Sequence, residues 1–185
     1  MNVLELIKNR RTIQSFSGDP VSPEILRNAI DAAIWAPNHK LTKPWLFVEV
    51  KPETRKKLAD EQVALKQKKA AAPISVVERE AMIKKFLEPA TLIIAAIKKS
   101  GSTSQLEEDY AAMACAIQNL SLYLWSEGVG TKWGTGALLA SSITYEILGL
   151  KPEEFKLCGL VWVGKARVTP PKPPRPNIEE IFLSR

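Results

Sequence analysis

Residues 106–137, LEEDYAAMACAIQNLSLYLWSEGVGTKWGTGA, contain the features that decide the fold of this chain. The first part predicts a long helix over residues 106–127, which Gly128 ends as a cap. The apolar middle of this helix has small side chains, which favour close packing on more than one side. The residues that form it are Ala111, Ala112, Ala114, Cys115, Ala116, Leu120 and Leu124. The second part predicts a short strand over residues 129–133, followed by Gly134-Thr135-Gly136.

Outward from this segment, predicted helices flank a few separated strands. One helix begins with Ser22 as its N-cap and Pro23 in its first turn, and it ends before Pro37. The other helices are predicted over residues 2–9, 51–69, 75–87 and 142–148. The other strands are predicted over residues 45–50, 91–97 and 156–164. This pattern favours an α/β layer structure in one domain, residues 1–185.

The C-terminal segment, residues 165–185, is predicted to be an extended arm. Its density of proline opposes helix and sheet formation, and the prolines are Pro170, Pro171, Pro173, Pro174 and Pro176. It nevertheless ends in apolar side chains, namely Ile178, Ile181, Phe182 and Leu183. We therefore expect the arm to reach either its own domain or a partner subunit.

Composition and charge exclude some classes of protein. Apolar residues make up 45% and charged residues 25% of the chain, as in globular proteins. No apolar run approaches the roughly 20 residues of a membrane span, and the N-terminus lacks the pattern of a signal peptide. We therefore expect a cytoplasmic protein without membrane contact. The net charge of +6 leaves open a basic nucleic-acid-binding module, but much of the charge lies in mixed-sign helices between Lys51 and Lys85.

Metal and cysteine chemistry are not indicated. Cys115 and Cys158 lie in apolar patterns without a CxxC motif, so both are predicted to be buried, reduced thiols. His39 is the only histidine, which makes a metal site unexpected.

Candidate binding residues fall into three segments. Arg10-Arg11-Thr12, with Gln14, follows the first helix and offers the planar donors that bind an anion. Residues 36–45 form a loop with prolines and polar side chains before Trp45 enters a strand. Residues 128–137 are rich in glycine, which lets a backbone approach a ligand, although the spacing is not that of a dinucleotide fingerprint.

The order of these segments over nearly the whole chain resembles the FMN-dependent nitroreductase family, and in particular its short, minimal branch. The resemblance implies an α/β (α+β) nitroreductase-like fold with a central mixed, mainly antiparallel sheet flanked by helices. It also implies a homodimer with FMN at the interface and a C-terminal arm that extends to the partner subunit.

The resemblance also implies a set of cofactor-binding residues. Those on the phosphate and pyrimidine side are Arg10, Arg11, Thr12 and Gln14. Those from the other subunit are Pro37, Asn38 and His39, with Trp35 just before them. Those along the ring are Trp133, Gly134, Thr135 and Gly136. In the arm, the resemblance implies that Arg175 and Lys172 meet the phosphate.

Three positions depart from the family pattern. Gln14 stands where Arg or Lys is usual, Leu41 where larger members have Asn, and Lys43 where they have Gln. These departures leave the reduction potential and the choice of acceptor open.

The implied function is electron transfer from NADH or NADPH to nitroaromatic, quinone or similar acceptors by a ping-pong mechanism. No catalytic side chain is expected, because the flavin carries the chemistry. The alternative is the same fold with another reaction, such as dehalogenation, dehydrogenation or flavin fragmentation. The choice between NADH and NADPH and the physiological acceptor stay open.

Overall fold

The computed structural model describes residues 2–99 and 101–184. In chain order, the helices are α1 (Val3–Asn9), α2 (Pro23–Ile34), α3 (Pro52–Lys69), α4 (Val76–Leu87), α5 (Thr103–Ser126), α6 (Ser142–Leu148) and α7 (Ile178–Ile181). The strands are β1 (Trp45–Val50), β2 (Thr91–Lys98), β3 (Gly130–Gly134) and β4 (Phe155–Gly164). Among these residues no helix combines the length and the apolarity that a membrane span requires.

The strands form one four-stranded sheet in the order β1-β2-β4-β3, and every neighbouring pair is antiparallel. The parallel pairing in the described chain is the isolated bridge between Thr12 and Thr131. The predicted fold class, a mainly antiparallel sheet flanked by helices, is therefore confirmed.

Strand β2 is the centre of the protein, and its side chains alternate between two apolar clusters. Ile93, Ala95 and Ile97 face a cluster formed with α2 and α5. Leu92, Ile94 and Ala96 face a second cluster, which includes residues of α3, α4 and α6. Because both faces of β2 are covered, the sheet fixes which helices lie on which side.

Local sequence signals explain where the helices begin. Ser22 accepts a hydrogen bond from the Glu24 amide at the start of α2, with Pro23 in the first turn as predicted. Asn2 and Ser75 form capping boxes with Glu5 and Glu78 at the start of α1 and α4. Helix α5 begins one turn earlier than predicted, because Ser102 caps it through the Gln105 amide.

The long helix α5 corrects one prediction about cysteine. Ala112, Ala116 and Leu120 are buried as expected, but Cys115 is exposed, so the prediction of a buried thiol there is wrong. Its neighbour on the same helix, Ala111, is exposed too. Cys158 is buried as predicted, and desolvation raises the pKa of its thiol to about 11. Only one side of α5 packs on its own chain, which leaves the other side available for contact.

The C-terminal segment is extended from the end of β4 to the short helix α7. Arg167 anchors its start by donating to the Phe16 carbonyl oxygen, with Nη2–O 3.0 Å. The apolar side chains at its end are exposed, with Ile178 at 63% and Phe182 at 72% of full exposure. Arg185, the last residue of the predicted arm, lies outside the described residues. The described arm therefore does not bury its end on its own chain.

Candidate functional site

The N-terminal segment reaches the glycine-rich strand by direct pairing. The Ile13 amide donates to the Thr131 carbonyl oxygen at 2.9 Å, next to the bridge between Thr12 and Thr131. Ile13 is fully buried, and a Cβ atom on Gly130 would collide with its Cγ1 atom. Gly130 is thus required for this close approach. The structure brings together two of the three segments that the sequence singled out.

Arg10 carries a cation without an anionic partner among the described residues. Its Nη1 atom donates to Thr12 Oγ1 at 3.2 Å, and its Nε atom is buried without a hydrogen-bond partner. Burial lowers the pKa of the Arg10 guanidinium. A buried, unpaired donor is costly unless a ligand satisfies it, so this group is suited to an anion.

Arg11, in contrast, is used by the fold. It is 7% exposed, and its Nη1 atom donates to the carbonyl oxygens of Lys8 at 2.8 Å and of Arg10 at 2.7 Å. These carbonyls lie at the end of α1, where helix hydrogen bonds run out. Arg11 therefore holds the turn that presents Arg10.

A cavity of about 240 Å³ lies beside this segment and beside β3. Gln14 and Thr135 contribute to its wall, which places these two predicted residues at one site. The rest of the wall is largely aromatic and apolar and includes Phe86, Leu138 and Trp162.

Lys132 is a residue of this cavity that the sequence prediction missed. It lies on β3, and its Nζ atom lies 5.3 Å from the centre of the Trp162 ring. Burial, and secondarily the charge of Lys85, lower the pKa of the Lys132 ammonium. The signal in the sequence was a single lysine in a strand of small and aromatic residues, on the face opposite Trp133.

The glycine-rich segment divides into packed and open parts. Trp133 donates from Nε1 to the Cys158 carbonyl oxygen at 3.3 Å, and it packs against the cluster that contains α5. Gly134 faces Trp162, whose ring a side chain at this position would strike. Gly136 has φ of +147°, and a Cβ atom there would meet nothing within 4 Å. Open space for a ligand is therefore found at Gly136.

The predicted residues of the middle segment lie apart from this cavity. Among the described residues, none of 35–39 contributes to its wall. Trp35 is 79% exposed, and Pro37 and His39 are exposed as well. Asn38 is bound within its own loop, where Oδ1 accepts from the Lys43 amide at 2.7 Å. Trp35, Pro37 and His39 therefore lie on an exposed surface outside this cavity.

The two basic residues of the arm are exposed. Lys172 and Arg175 lie in its extended part, and Arg175 donates from Nη1 to the adjacent Pro174 carbonyl oxygen at 3.3 Å. In the described part of the chain, no cluster of three or more histidine, cysteine or acidic side chains could hold a metal ion.

Comparison with known proteins agrees with this architecture. The model of the nitroreductase family matches residues 7–165. The Bacillus subtilis protein "Putative NAD(P)H nitroreductase YfhC" is 25% identical over 178 residues, which cover 96% of this chain and 91% of that protein. Iodotyrosine deiodinase 1 of Rattus norvegicus is 27% identical over 198 residues, which cover 97% of this chain and 68% of that protein.

Solved structures share the fold. A nitroreductase-like family protein from Bacillus cereus has a TM-score of 0.86 at 26% identity and covers 100% of this chain and 96% of its own. A protein from Desulfovibrio desulfuricans, described as "a putative nitroreductase in complex with fmn", has a TM-score of 0.78 at 19% identity and covers 100% of this chain and 98% of its own.

Fold and site thus define an oxidoreductase built on a nitroreductase-like fold. The chain belongs to the nitroreductase family.

Proposed function

We propose that this protein is an FMN-dependent enzyme that passes electrons from NADH or NADPH to nitroaromatic, quinone or similar acceptors. The observation that carries the proposal is the buried, unpaired Nε atom of Arg10 beside the glycine-rich segment. The similarity to the Bacillus subtilis protein, whose name includes NAD(P)H nitroreductase, supports the choice of donor. A donor of this kind agrees with the cytoplasmic location that the sequence predicts.

The residues at this site fit the chemistry of FMN. Arg10 and the Thr12 hydroxyl offer charged and neutral donors of the kind that bind a phosphate. The open backbone at Gly136 and the wall formed by Phe86 and Trp162 suit a planar ring with polar edges. Thr135 and Gln14 add polar groups that can orient such a ring.

FMN, when bound, supplies the electron transfer, so the protein needs no side chain that forms a covalent bond with substrate. In this proposal Arg10 and Thr12 hold the phosphate, and Arg11 fixes the turn that carries them. Trp133 and Gly134 would fix the strand that carries the glycine-rich segment. Donor and acceptor use one open face in turn, which is a ping-pong sequence.

In this proposal Lys132 supplies the positive charge that an arginine or lysine at position 14 would otherwise provide. Both line the same cavity, and Lys132 brings a half-buried ammonium to it. A cation beside a bound group favours the form of that group with more negative charge. Lys132 therefore compensates for Gln14 in setting the reduction potential.

The enzyme is further proposed to be a homodimer with its two FMN sites at the interface. The exposed residues Trp35, Pro37 and His39 then complete the partner's site. The apolar end of the arm covers the partner, and Lys172 or Arg175 approaches a phosphate. A groove between α2 and the sheet offers the arm both apolar and polar contacts. Its lining includes the apolar residues Leu26, Ile30 and Phe47 and the charged residues Glu24, Arg27, Glu49 and Lys51.

A second candidate reaction is reductive dehalogenation. The similarity to iodotyrosine deiodinase 1 over 97% of this chain favours it over the other reactions that the fold supports. The site is the same in both cases, and the acceptor distinguishes them.

Steady-state kinetics test the reaction. We expect the purified protein to have the absorbance of bound flavin and to oxidise NADH or NADPH with a nitroaromatic or quinone, giving parallel double-reciprocal lines. Intersecting lines would contradict the ping-pong sequence. Release of halide from an iodinated phenol, without turnover of nitro compounds or quinones, would favour the second candidate. Flavin that is reduced by dithionite but never by NADH or NADPH would refute the proposed donor.

Replacement of the two N-terminal arginines tests the phosphate site. Arg10→Ala should raise the Kd of FMN roughly 10- to 100-fold, because a hydrogen bond to a charged group contributes about 1.5–3 kcal/mol. Arg11→Ala should instead lower the free energy of unfolding by about 1–3 kcal/mol, since it removes the hydrogen bonds to the carbonyl oxygens of Lys8 and Arg10. Arg79→Ala on the surface of α4 is the matched control. An unchanged Kd for Arg10→Ala, measured by flavin fluorescence titration, would show that the phosphate lies elsewhere.

The Lys132→Met variant tests the compensation for Gln14. We expect the midpoint potential of bound FMN to fall by roughly 20–40 mV, because ~1–2 kcal/mol of charge interaction corresponds to that shift for a two-electron couple. Lys156→Met is the control, since its ammonium lies 5.0 Å from the centre of the Tyr110 ring. Equal potentials for Lys132→Met and wild type in a dye-equilibration titration would remove Lys132 from this role.

Two substitutions, one in α7 and one directly after it, test the arm. Ile178→Ser with Phe182→Ser should shift the protein from dimer toward monomer, because both side chains are exposed on the single chain and need a partner to be buried. Glu179→Ser with Glu180→Ser, in the same helix, should leave the dimer intact. Light scattering after gel filtration measures the mass. A dimer of unchanged stability in the apolar variant would argue against the arm as part of the interface.

A further inference from the structure

The loop between α2 and β1 is strained. Lys40, Leu41 and Lys43 have φ values of 54°, 53° and 48°, in the left-handed region that residues other than glycine rarely adopt. Such conformations persist only where the surrounding structure imposes them. The loop therefore needs an anchor, and residues 38–43 are mostly exposed to solvent.

Asn38 holds the loop together from within. Its Oδ1 atom accepts from the Lys43 amide at 2.7 Å, and its Nδ2 atom donates to Thr42 Oγ1 at 2.7 Å. One side chain thus links both ends of the strained stretch. These bonds fix the shape of the loop but do not attach it to the rest of the protein.

Asp109 supplies the attachment. Thr42 donates from Oγ1 to Asp109 Oδ1 at 2.5 Å, and Gln105 donates from Nε2 to the same oxygen at 3.2 Å. Asp109 lies on α5 and is fully buried, so its position is fixed by the helix. A relay of hydrogen bonds therefore runs from Asn38 through Thr42 to the core.

The second carboxylate oxygen of Asp109, Oδ2, bears on why an acidic residue stands at this position. Its Oδ2 atom is buried and has no hydrogen-bond partner, and a buried, unpaired polar atom is costly for folding. The other oxygen, Oδ1, accepts hydrogen bonds from Thr42 of the loop and from Gln105 of its own helix. The function of Asp109 therefore concerns the loop that it anchors and the residues that this loop exposes to solvent.

We propose that Asp109 is a positioning residue, which through Thr42 and Asn38 fixes the strained loop so that Pro37 and His39 face the flavin site of the partner subunit. The proposal rests on the proposed function, because the loop needs a geometry only if it contributes to a site. Asn38 then acts by shaping the loop, because its side-chain amide is already hydrogen-bonded to Thr42 and Lys43.

The matched variants Thr42→Val and Thr42→Ser test the relay. Valine keeps the shape of threonine but removes the hydroxyl, whereas serine keeps the hydroxyl. We expect Thr42→Val to accelerate hydrogen exchange of the Lys43 amide at least about tenfold, which corresponds to ~1.4 kcal/mol, and Thr42→Ser to stay near wild type. Asp109→Ala should act in the same direction as Thr42→Val. Thr144→Val is the control, because the buried Thr144 hydroxyl has no hydrogen-bond partner to lose.

Three readouts make the outcome decisive. The exchange of amides in β2 reports global unfolding, and it should change far less than that of Lys43. The Kd of FMN should rise in Thr42→Val and recover in Thr42→Ser. Unchanged Lys43 exchange in Thr42→Val, or faster exchange with the same Kd, would overturn the proposal. Wild-type protein that binds no FMN would refute the proposed function, while the exchange measurement would still decide whether Asp109 holds the loop.

Discussion

Burial of strand β2 on both faces is the constraint on which the rest of the structure depends. Residues 91–97 are all buried, and their side chains alternate between two apolar clusters. The strand can satisfy its backbone only between two neighbours, which are β1 and β4. Its small residues, Ala95 and Ala96, leave room for helices to approach the sheet. Helices α2 and α5 are thereby committed to one face, and α3 and α6 to the other.

The candidate site forms where this sheet has a free edge. Strand β3 is an outer strand, so its backbone groups on one side need other partners. Ile13 and Thr12 satisfy part of that edge, and the absence of a side chain at Gly130 allows Ile13 to be buried there. The same contact that completes the edge places Arg10 and Gln14 beside the glycine-rich segment.

Several groups at and near the site are costly for folding and useful for binding. The Arg10 Nε atom is buried without a hydrogen-bond partner, and the Lys132 ammonium is half-buried near another cation. Asp109 is a buried acid with one unpaired oxygen, and it anchors a strained loop. A fold selected for stability alone gains more from apolar side chains at such positions. Arg10 and Lys132 lie on segments of the candidate site, and Asp109 lies behind the loop that we propose for the partner's site.

The sequence by itself determined most of the secondary structure and the family to which the chain belongs. Caps such as Ser22 with Pro23, and alternation such as that of residues 91–97, are local signals, so they can be read without tertiary contacts. The order of the three segments identified the family. The sequence could not show that Cys115 is exposed. The apolar pattern of α5 is the same whether its second side packs against the same chain or is open to solvent.

Tertiary structure decided how the individual residues are used. Adjacent arginines look alike in a sequence, but the fold uses them differently. It brings the carbonyl oxygens of Lys8 and Arg10 to the Arg11 side chain, whereas the buried Nε atom of Arg10 has no hydrogen-bond partner. Lys132 is a candidate site residue only because the fold places it on the same cavity wall as Gln14. The link from Asp109 to Thr42 spans 67 positions of the chain, so no local pattern predicts it. Local propensity fixed the elements, and long-range packing fixed which polar groups were paired and which were left unpaired.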